Sequence, residues 1–335
     1  MTVIVLLNWE GWQDTIECLE SLYNMTTDDY IIVVVDNASD DDSVNKIIDW
    51  LRNNKHIFFI KKEDDALTES IKKKDCIVYA LNENYGFAKG NNKGIELVRN
   101  VGLDYYLLLN NDTTVDAHFL EALVHFQHEH SEYEVLMPQI RYYDNPDMIW
   151  NCGGKIFAGL YRYSYSNVPF SVINENNFIP ITFITGCSLF ACARLVEDNR
   201  LLTERFFFGV EDLDFSIRMK KKSVKMACLL SSKIYHKVSS SVSKLDQEVL
   251  GMKYYTYLLY FINTKVNYGK YYFFFWKLCY FPYIFQYLLS LNINIKDIFK
   301  LFKFLWVEST HKEIVTREDF IRLKNIGSFT NLKKQ

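Results

Sequence analysis

Within the first 112 residues, four short apolar runs each end in a cluster of Asn, Asp or Ser, and this pattern constrains the chain most. Val3–Leu7 runs into Asn8, and Ile31–Val35 into Asp36-Asn37-Ala38-Ser39. Cys76–Leu81 is followed by Asn82-Glu83-Asn84-Tyr85-Gly86, and Tyr105–Leu109 by Asn110-Asn111-Asp112. Such unbroken runs suit strands buried on both faces. Apolar residues elsewhere take helical spacing: Trp12, Ile16, Leu19 and Leu22; Val44, Ile47, Ile48 and Leu51; Ile95–Val98; and Phe119–His130. The alternation predicts an α/β fold with a mostly parallel central sheet flanked by helices and joined by right-handed crossovers. The charged stretch Lys61–Asp75 breaks the rhythm and reads as an exposed excursion.

Ligands of open α/β sheets sit beyond the carboxyl ends of the strands, so the polar clusters should converge on one site. Each alone is also what caps and turns favour; together they point to a binding edge. Asn8-Trp9-Glu10-Gly11-Trp12 after the first strand lacks a GxGxxG pattern, and no Walker A sequence occurs in the chain. A phosphate-bearing ligand then needs another holder. Asp112, following a buried strand, can supply a hard oxygen to Mg²⁺ or Mn²⁺, ions that bridge diphosphates with few protein ligands.

Beyond Ser131 the pattern is less regular. Ile149–Tyr165, with Gly153, Gly154 and Gly159 among aromatics, suits a hairpin or curved strands. Phe183–Ala193 reads as a strand containing Gly186, Leu213–Lys222 as a helix, Val224–Leu230 as a strand, and the chain from Leu245 as helical. This divides it into a catalytic domain, 1–244, and a helical, aromatic-rich extension, 245–335. The 335 residues are 49% hydrophobic, enough for one large domain and an appendage. A formal net charge of −3 excludes a general nucleic-acid binder. Seven scattered cysteines without a CxxC pair suit reduced thiols. The opening MTVIVLLNWEGW lacks a basic n-region and a small-residue cleavage site, and reads as a strand in place of an export signal.

From Thr2 to Gly269 the sequence resembles glycosyltransferase family 2, with its GT-A fold, and within it the rhamnosyltransferase-like branch of bacterial surface polysaccharide assembly. Asp36-Asn37-Ala38-Ser39 with Asp41 and Ser43 matches the nucleotide-binding turn. Asn84-Tyr85-Gly86-Phe87-Ala88-Lys89-Gly90-Asn91-Asn92-Lys93-Gly94 matches the branch's N-x-GFA-x-GNN-x-G signature. Asn110-Asn111-Asp112 stands where the family has a DxD-type metal motif, here with one carboxylate. Glu211-Asp212 with the trailing Arg218 matches the "ED" motif, and His236, in Tyr235-His236-Lys237-Val238-Ser239, the late histidine of the metal site.

The resemblance implies an inverting transferase in which Asp212 is the general base, Glu211 shapes its surroundings, and Asp112 and His236 hold Mg²⁺ or Mn²⁺. It puts Asn8, Asp36, Asn37, Asn84, Gly86, Lys89, Asn91, Asn92, Asn110 and Asn111 on the donor side, and gives Arg218 and Gly186 acceptor or structural roles. A carboxylate can take the proton from an acceptor hydroxyl, while a metal ion steadies the departing diphosphate. Glu211, Asp212 and Asp214 also suit the start of a helix electrostatically. His125, His128 and His130 read as a solvated helix face. An Arg-Asn pair common in the family near Asn263 is absent, since Ile262 precedes it. The expected donor is a nucleotide-sugar, dTDP-rhamnose by resemblance with UDP-hexoses open, and the acceptor a glycan or lipid-linked sugar. A sugar nucleotidyltransferase would need a glycine-rich basic loop after the first strand, which Asn8–Gln13 does not provide. An inactive membrane scaffold is the other alternative.

Tyr271–Leu291 is about long enough to cross a bilayer, but Lys277, Pro282 and Gln286 interrupt it. Ile298–Trp306 continues with Lys300 and Lys303 among Phe299, Phe302 and Phe304. The pattern suits an interfacial helix pair, hence peripheral attachment at the cytoplasmic membrane face. The same aromatics could instead pack on the catalytic domain or form a homo-oligomer interface.

Overall fold

The computed structural model describes residues 1–173, 177–238, 249–290 and 293–324. Ser239, the boundary between 244 and 245, the helix start at Leu245 and the end of the aromatic run at Leu291 lie outside the described residues.

The first half forms β1 (Thr2–Asn8), α1 (Trp12–Tyr23), β2 (Tyr30–Asp36), α2 (Ser43–Asn53), β3 (Phe58–Lys62), β4 (Cys76–Ala80), α3 (Gly86–Leu97) and β5 (Tyr105–Asn110). Its strands lie parallel in the order β5-β1-β2-β4-β3. Every residue of β2 is buried, as expected of a strand with both faces covered. Two glycines of the Asn-Gly signature let α3 lie close against the sheet. A Cβ at Gly90 would come within 2.6 Å of Leu7, and one at Gly94 within 2.8 Å of Val5 and Val35.

The second half adds β6 (Thr113–Val115), α4 (Phe119–Glu129), β7 (Tyr133–Tyr142), β8 (Met148–Asn151), β9 (Gly154–Phe157), β10 (Leu160–Tyr163), β11 (Val168–Pro169), β12 (Phe178–Ile181), β13 (Ser188–Cys192), α5 (Glu211–Lys221) and β14 (Lys225–His236). Antiparallel β13 joins β5 to β7, beyond which lie β8 and β11. β14 runs parallel to β7 and pairs with β6 and β12, and β9 and β10 make a separate hairpin. The sheet is therefore parallel in its first half and mixed in its second.

The chain ends in α6 (Val249–Ser290), broken at Gly269 (φ 81°, ψ 167°), α7 (Ile295–His311) and α8 (Arg317–Lys324). These helices share a core with the preceding chain: Ile156, Phe183, Phe206, Leu213 and Ile217 pack with Tyr254, Tyr255, Phe261 and Leu305. Fully burying a large apolar side chain contributes roughly 1.5–3 kcal/mol, so this joint is substantial.

Three local expectations are corrected. Gly186 lies in a turn before β13, because Phe183 pairs with Gly154 in an isolated bridge and the following residues bend toward α5. Lys61 is no part of an exposed excursion; it belongs to edge strand β3, with its ammonium on Ala66 O (2.9 Å) and Glu69 (2.8 Å). β14 extends past Leu230 across a register shift and carries His236 at its end.

Candidate active site

The polar clusters at the parallel strand ends meet through hydrogen bonds. Asn8 Nδ2 donates to Asp36 Oδ1 (2.7 Å), and Asn8 Oδ1 accepts from Thr15 Oγ1 (2.9 Å). Asn111 Nδ2 donates to the same Thr15 hydroxyl (2.9 Å), so the ends of β1, β2 and β5 form one network. Ser39 completes the Asp36 turn, its amide and hydroxyl both donating to the carboxylate (3.0 and 2.7 Å). Asn37 Nδ2 donates to Asn84 Oδ1 (3.0 Å) and Asn37 Oδ1 accepts the Tyr85 amide (3.0 Å), joining the end of β2 to the start of α3. Thr15 was not singled out in the sequence, although a polar residue on the buried face of an apolar helix was a usable signal.

Gly86 is required where it stands. It has φ +78°, and a Cβ there would fall 1.9 Å from the carbonyl oxygen of Phe207. Asn91 and Asn92 are turned inward to hold the fold: Asn91 bonds Phe87 O (2.9 Å), and Asn92 grips Leu202 O and Glu204 while accepting the amides of Leu201 and Leu202. The Lys89 ammonium lies 3.8 Å over the ring of Tyr85, at the site's edge.

The acidic pair opens α5 after two left-handed residues, Gly209 (φ 93°) and Val210 (φ 61°). Asp212 accepts amides from Gly186 (3.3 Å) and Leu213 (2.7 Å). The next residue, Cys187, accepts the amide of Asn110 (2.9 Å), so one turn ties Asp212 to the Asn110-Asn111-Asp112 segment. Phe87 packs on that turn, 3.2 Å from where a Gly186 Cβ would lie. Burial raises the pKa of both acids, and the charge of Asp212 raises Glu211 further, whereas the two amides pull Asp212 back. Asp212 is thus the more readily ionised member, and Glu211, with a buried Oε2 lacking a hydrogen bond among the described residues, keeps the proton. Arg218 serves the helix: it bonds Asp214 (2.7 Å) and Leu201 O (3.0 Å), while Asn267 of α6 donates to the other Asp214 oxygen (2.9 Å).

Asp112 and His236 face each other, Oδ1 to Nε2, at 3.2 Å. Burial would raise the Asp112 carboxyl, but the imidazole beside it holds it below its usual value. Burial opposes the imidazolium form of His236, yet Cys187 and Asp112 push its pKa up. Asp112 Oδ1 is buried against His236 Nε2, the partner just given. Asp112 Oδ1 and His236 Nε2, a hard oxygen and an imidazole nitrogen turned toward each other, fit a divalent cation whose other ligands come from a diphosphate. No group of three or more His, Cys, Asp and Glu suited to a metal occurs among the described residues. His125 and His128 are exposed on α4, and His130 packs on Phe126 (4.5 Å).

A cleft of about 850 Å³ is lined by Tyr161, Tyr163 and Tyr165 with Tyr260 of α6, and the charge of Asp212 acts on Tyr161, Tyr163 and Tyr260 from nearby. Tyr-x-Tyr alternation on a short strand is the one sequence sign of these residues.

Solved structures similar to this chain include S. aureus TarS 1-349 (15% identity, TM-score 0.48), covering 78% of this chain and 64% of that one. Full S. aureus TarS gives 17% identity, TM-score 0.50, and coverage of 78% and 39%. TarS 1-349 in complex with UDP-GlcNAc gives 16%, 0.48, and 78% and 66%. The chain thus spans less than two thirds of these proteins, and at 17% identity the likeness at TM-score 0.50 concerns the fold alone, a GT-A-like α/β architecture. Among curated proteins none matches. The family model "Glycosyl transferase family 2" covers residues 2–197, more than half of the sequence, and the chain belongs to that family.

Proposed function

We propose that this protein transfers a sugar from a nucleoside diphosphate donor to an acceptor hydroxyl with inversion at the anomeric carbon. The observation that carries the reading is the Gly186–Cys187 turn, which binds Asp212 through the amide of Gly186 and the Asn110-Asn111-Asp112 segment through the carbonyl of Cys187. A base and a diphosphate site fixed to one turn suit direct displacement, with the acceptor entering opposite the leaving group.

Asp212 takes the proton of the acceptor hydroxyl, a role suited to a carboxylate whose pKa burial has lifted toward neutrality. Glu211, holding its own proton, keeps a second negative charge away from Asp212. Asp36, oriented by Asn8 and Ser39, meets the donor base, and the Asn37–Asn84 link shapes the floor beneath it. Asp112 and His236 would hold Mg²⁺ or Mn²⁺, which when bound stabilises the negative charge gathering on the diphosphate. dTDP-rhamnose is the favoured donor by family resemblance, with UDP-hexoses as the other choice. The acceptor is a lipid-linked or growing glycan of a bacterial surface polysaccharide.

Peripheral attachment to the cytoplasmic membrane face completes the proposal. Among the described residues no helix is long and apolar enough to cross a membrane. Tyr271 (85% exposed), Phe275 (67%) and Leu278 (53%) recur at helical spacing on α6, while Phe299 (60%) is exposed on α7 near Lys300 and Lys303. That mixture of aromatics and lysines suits a bilayer interface.

The experiment is a thermal-shift comparison of dTDP and UDP, each with Mn²⁺ and with EDTA. Stabilisation by a diphosphate in the presence of metal, lost in Asp112→Ala, is the expected result. A wild-type protein stabilised by neither nucleotide under either condition would remove the transferase reading.

A further inference from the structure

Resting on the transferase reading, we infer that the acceptor is recognised as a saccharide, seated on an aromatic platform in the tyrosine-lined cleft beside Asp212. The platform is built, since its rings are held by the fold. Tyr161 and Tyr163 are two apart on β10, so their side chains share one face. Tyr161 lies flat on Phe183, with centroids 3.8 Å apart and planes 2° from parallel, and its hydroxyl meets that of Tyr163 at 3.5 Å. Tyr260, half-buried on α6, lines the same cleft.

Phe183 also links the platform to the base. Its neighbour Ile184 donates its amide to Ser216 of α5 (3.0 Å), and two residues on Gly186 donates to Asp212 (3.3 Å). Rings and carboxylate therefore stand on one short segment. Burial, with the Asp212 charge behind it, raises the pKa of Tyr161, Tyr163 and Tyr260, against a lowering by the Tyr161 hydroxyl at Tyr163 and Tyr260, so all three stay protonated at neutral pH.

This combination selects a class of molecule. A pyranose offers an apolar, weakly positive C–H face to the negative face of an aromatic ring, and hydroxyls to the phenols at its edge. Among the described residues no carboxylate lines the cleft, and Arg162 is its one charged residue. An aliphatic alcohol would offer the phenols a single hydroxyl and the rings no flat C–H face to stack. The volume of about 850 Å³ lies high in the range for ligand pockets, roughly 300–1,000 Å³, leaving room for a sugar unit beyond the one that reacts.

The test measures nucleoside diphosphate release by the full chain with the donor that the thermal-shift screen selects. The probes are a panel of p-nitrophenyl glycosides and disaccharides, with glycerol and octanol as non-sugar hydroxyls. At least one glycoside should stimulate release where glycerol and octanol do not. Tyr260→Ala and Tyr163→Ala should each raise the KM for that glycoside about tenfold, corresponding to roughly 1.4 kcal/mol, with a smaller change in kcat. Tyr260→Phe, which keeps the ring, should stay close to the parent. The nucleotide-dependent thermal shift of each variant verifies its fold and donor site. Equal KM values in variants that keep that shift would overturn the assignment, as would stimulation by glycerol equal to that by glycosides. A panel in which no saccharide stimulates release would overturn it too while leaving the transferase reading in place. A wild type with no nucleotide-dependent shift would remove both.

Discussion

Replacing Tyr255 with Phe removes one oxygen, and the structure gives that oxygen a defined task. The hydroxyl donates to Phe208 O (2.7 Å) and accepts the Phe208 amide (3.2 Å), bracing the residue just before the left-handed pair Gly209 and Val210. Val210 holds a conformation that costs an L-residue roughly 1–2 kcal/mol, so the turn relies on its surroundings. Two hydrogen bonds at about 1 kcal/mol each set the upper limit of the loss. Phe208 is 40% exposed, so water can replace part of it, and a loss of about 1–2 kcal/mol follows. If the whole loss falls on the conformation that presents Asp212, kcat drops about 5- to 30-fold. The donor KM should hold, because the Tyr255 hydroxyl bonds Phe208 and its ring meets Phe320, neither a donor-side residue. The melting temperature should fall by about 2–8 °C, at roughly 2–4 °C for each kcal/mol in a large domain. Steady-state kinetics and a thermal melt suffice. A lowered melting temperature with kcat within twofold of the parent would refute the brace, leaving Tyr255 as a packing residue of α6.

The remaining predictions are these. Gly86→Ala forces a Cβ against the Phe207 carbonyl at a positive φ and should destabilise by about 2–4 kcal/mol, from left-handed strain and the loss of the Phe87–Phe207 hydrogen bond; a denaturant melt matching the parent would contradict it. Asp212→Asn should lower kcat by about 10²–10⁴ while retaining nucleotide binding, and in the parent kcat should fall as the pH drops through the raised Asp212 pKa, because the base must be ionised. Glu211→Gln should be more stable than the parent above the ordinary Glu value of 4.5 and little different below it, since a carboxyl with a raised folded pKa binds more protons folded than unfolded and loses stability as pH rises; melts at about pH 4 and about pH 8, below and above that value, read this directly. Tyr271→Ser with Phe275→Ser should weaken sedimentation with anionic vesicles while leaving nucleotide binding intact, and unchanged sedimentation would move the membrane contact elsewhere.

The parallel half was legible because its strands, buried on both faces, read as unbroken apolar runs: β2 as Ile31–Val35 and β5 as Tyr105–Leu109. Edge strand β3 was not, since Phe58-Phe59-Ile60-Lys61-Lys62 mixes apolar and charged residues as sheet edges do. β14 was cut short at Leu230 because Ser231, Ser232 and Lys233 interrupt it where its register with β7 shifts. Asp36, Asn37, Asn84 and Asp112 announced themselves as polar residues after apolar runs. Their shared partner Thr15 did not, because its bonds reach Asn8 and Asn111 from inside a helix. Gly186 was noticed, but its part in holding Asp212 depends on a turn 26 residues away in sequence, which no local pattern encodes.

Long-range ties of this kind explain why the C-terminal helices bear on the candidate site. The segment leading into the acidic pair is held from three directions. The amide of Phe87, at the start of α3, donates to Phe207 O (3.0 Å). The amide of Phe207 donates to Val315 O (2.9 Å), between α7 and α8, and Val315 in turn donates to Arg205 O (2.7 Å). Tyr255 of α6 holds Phe208. A single residue, Phe207, thus bonds the Asn-Gly signature through its carbonyl and the C-terminal region through its amide. Displacing the acidic pair as a unit would break bonds to the donor side, to the C-terminal helices, or to both. Damage to α6 should therefore register first in the position of Asp212, and so in kcat, before it registers in donor affinity.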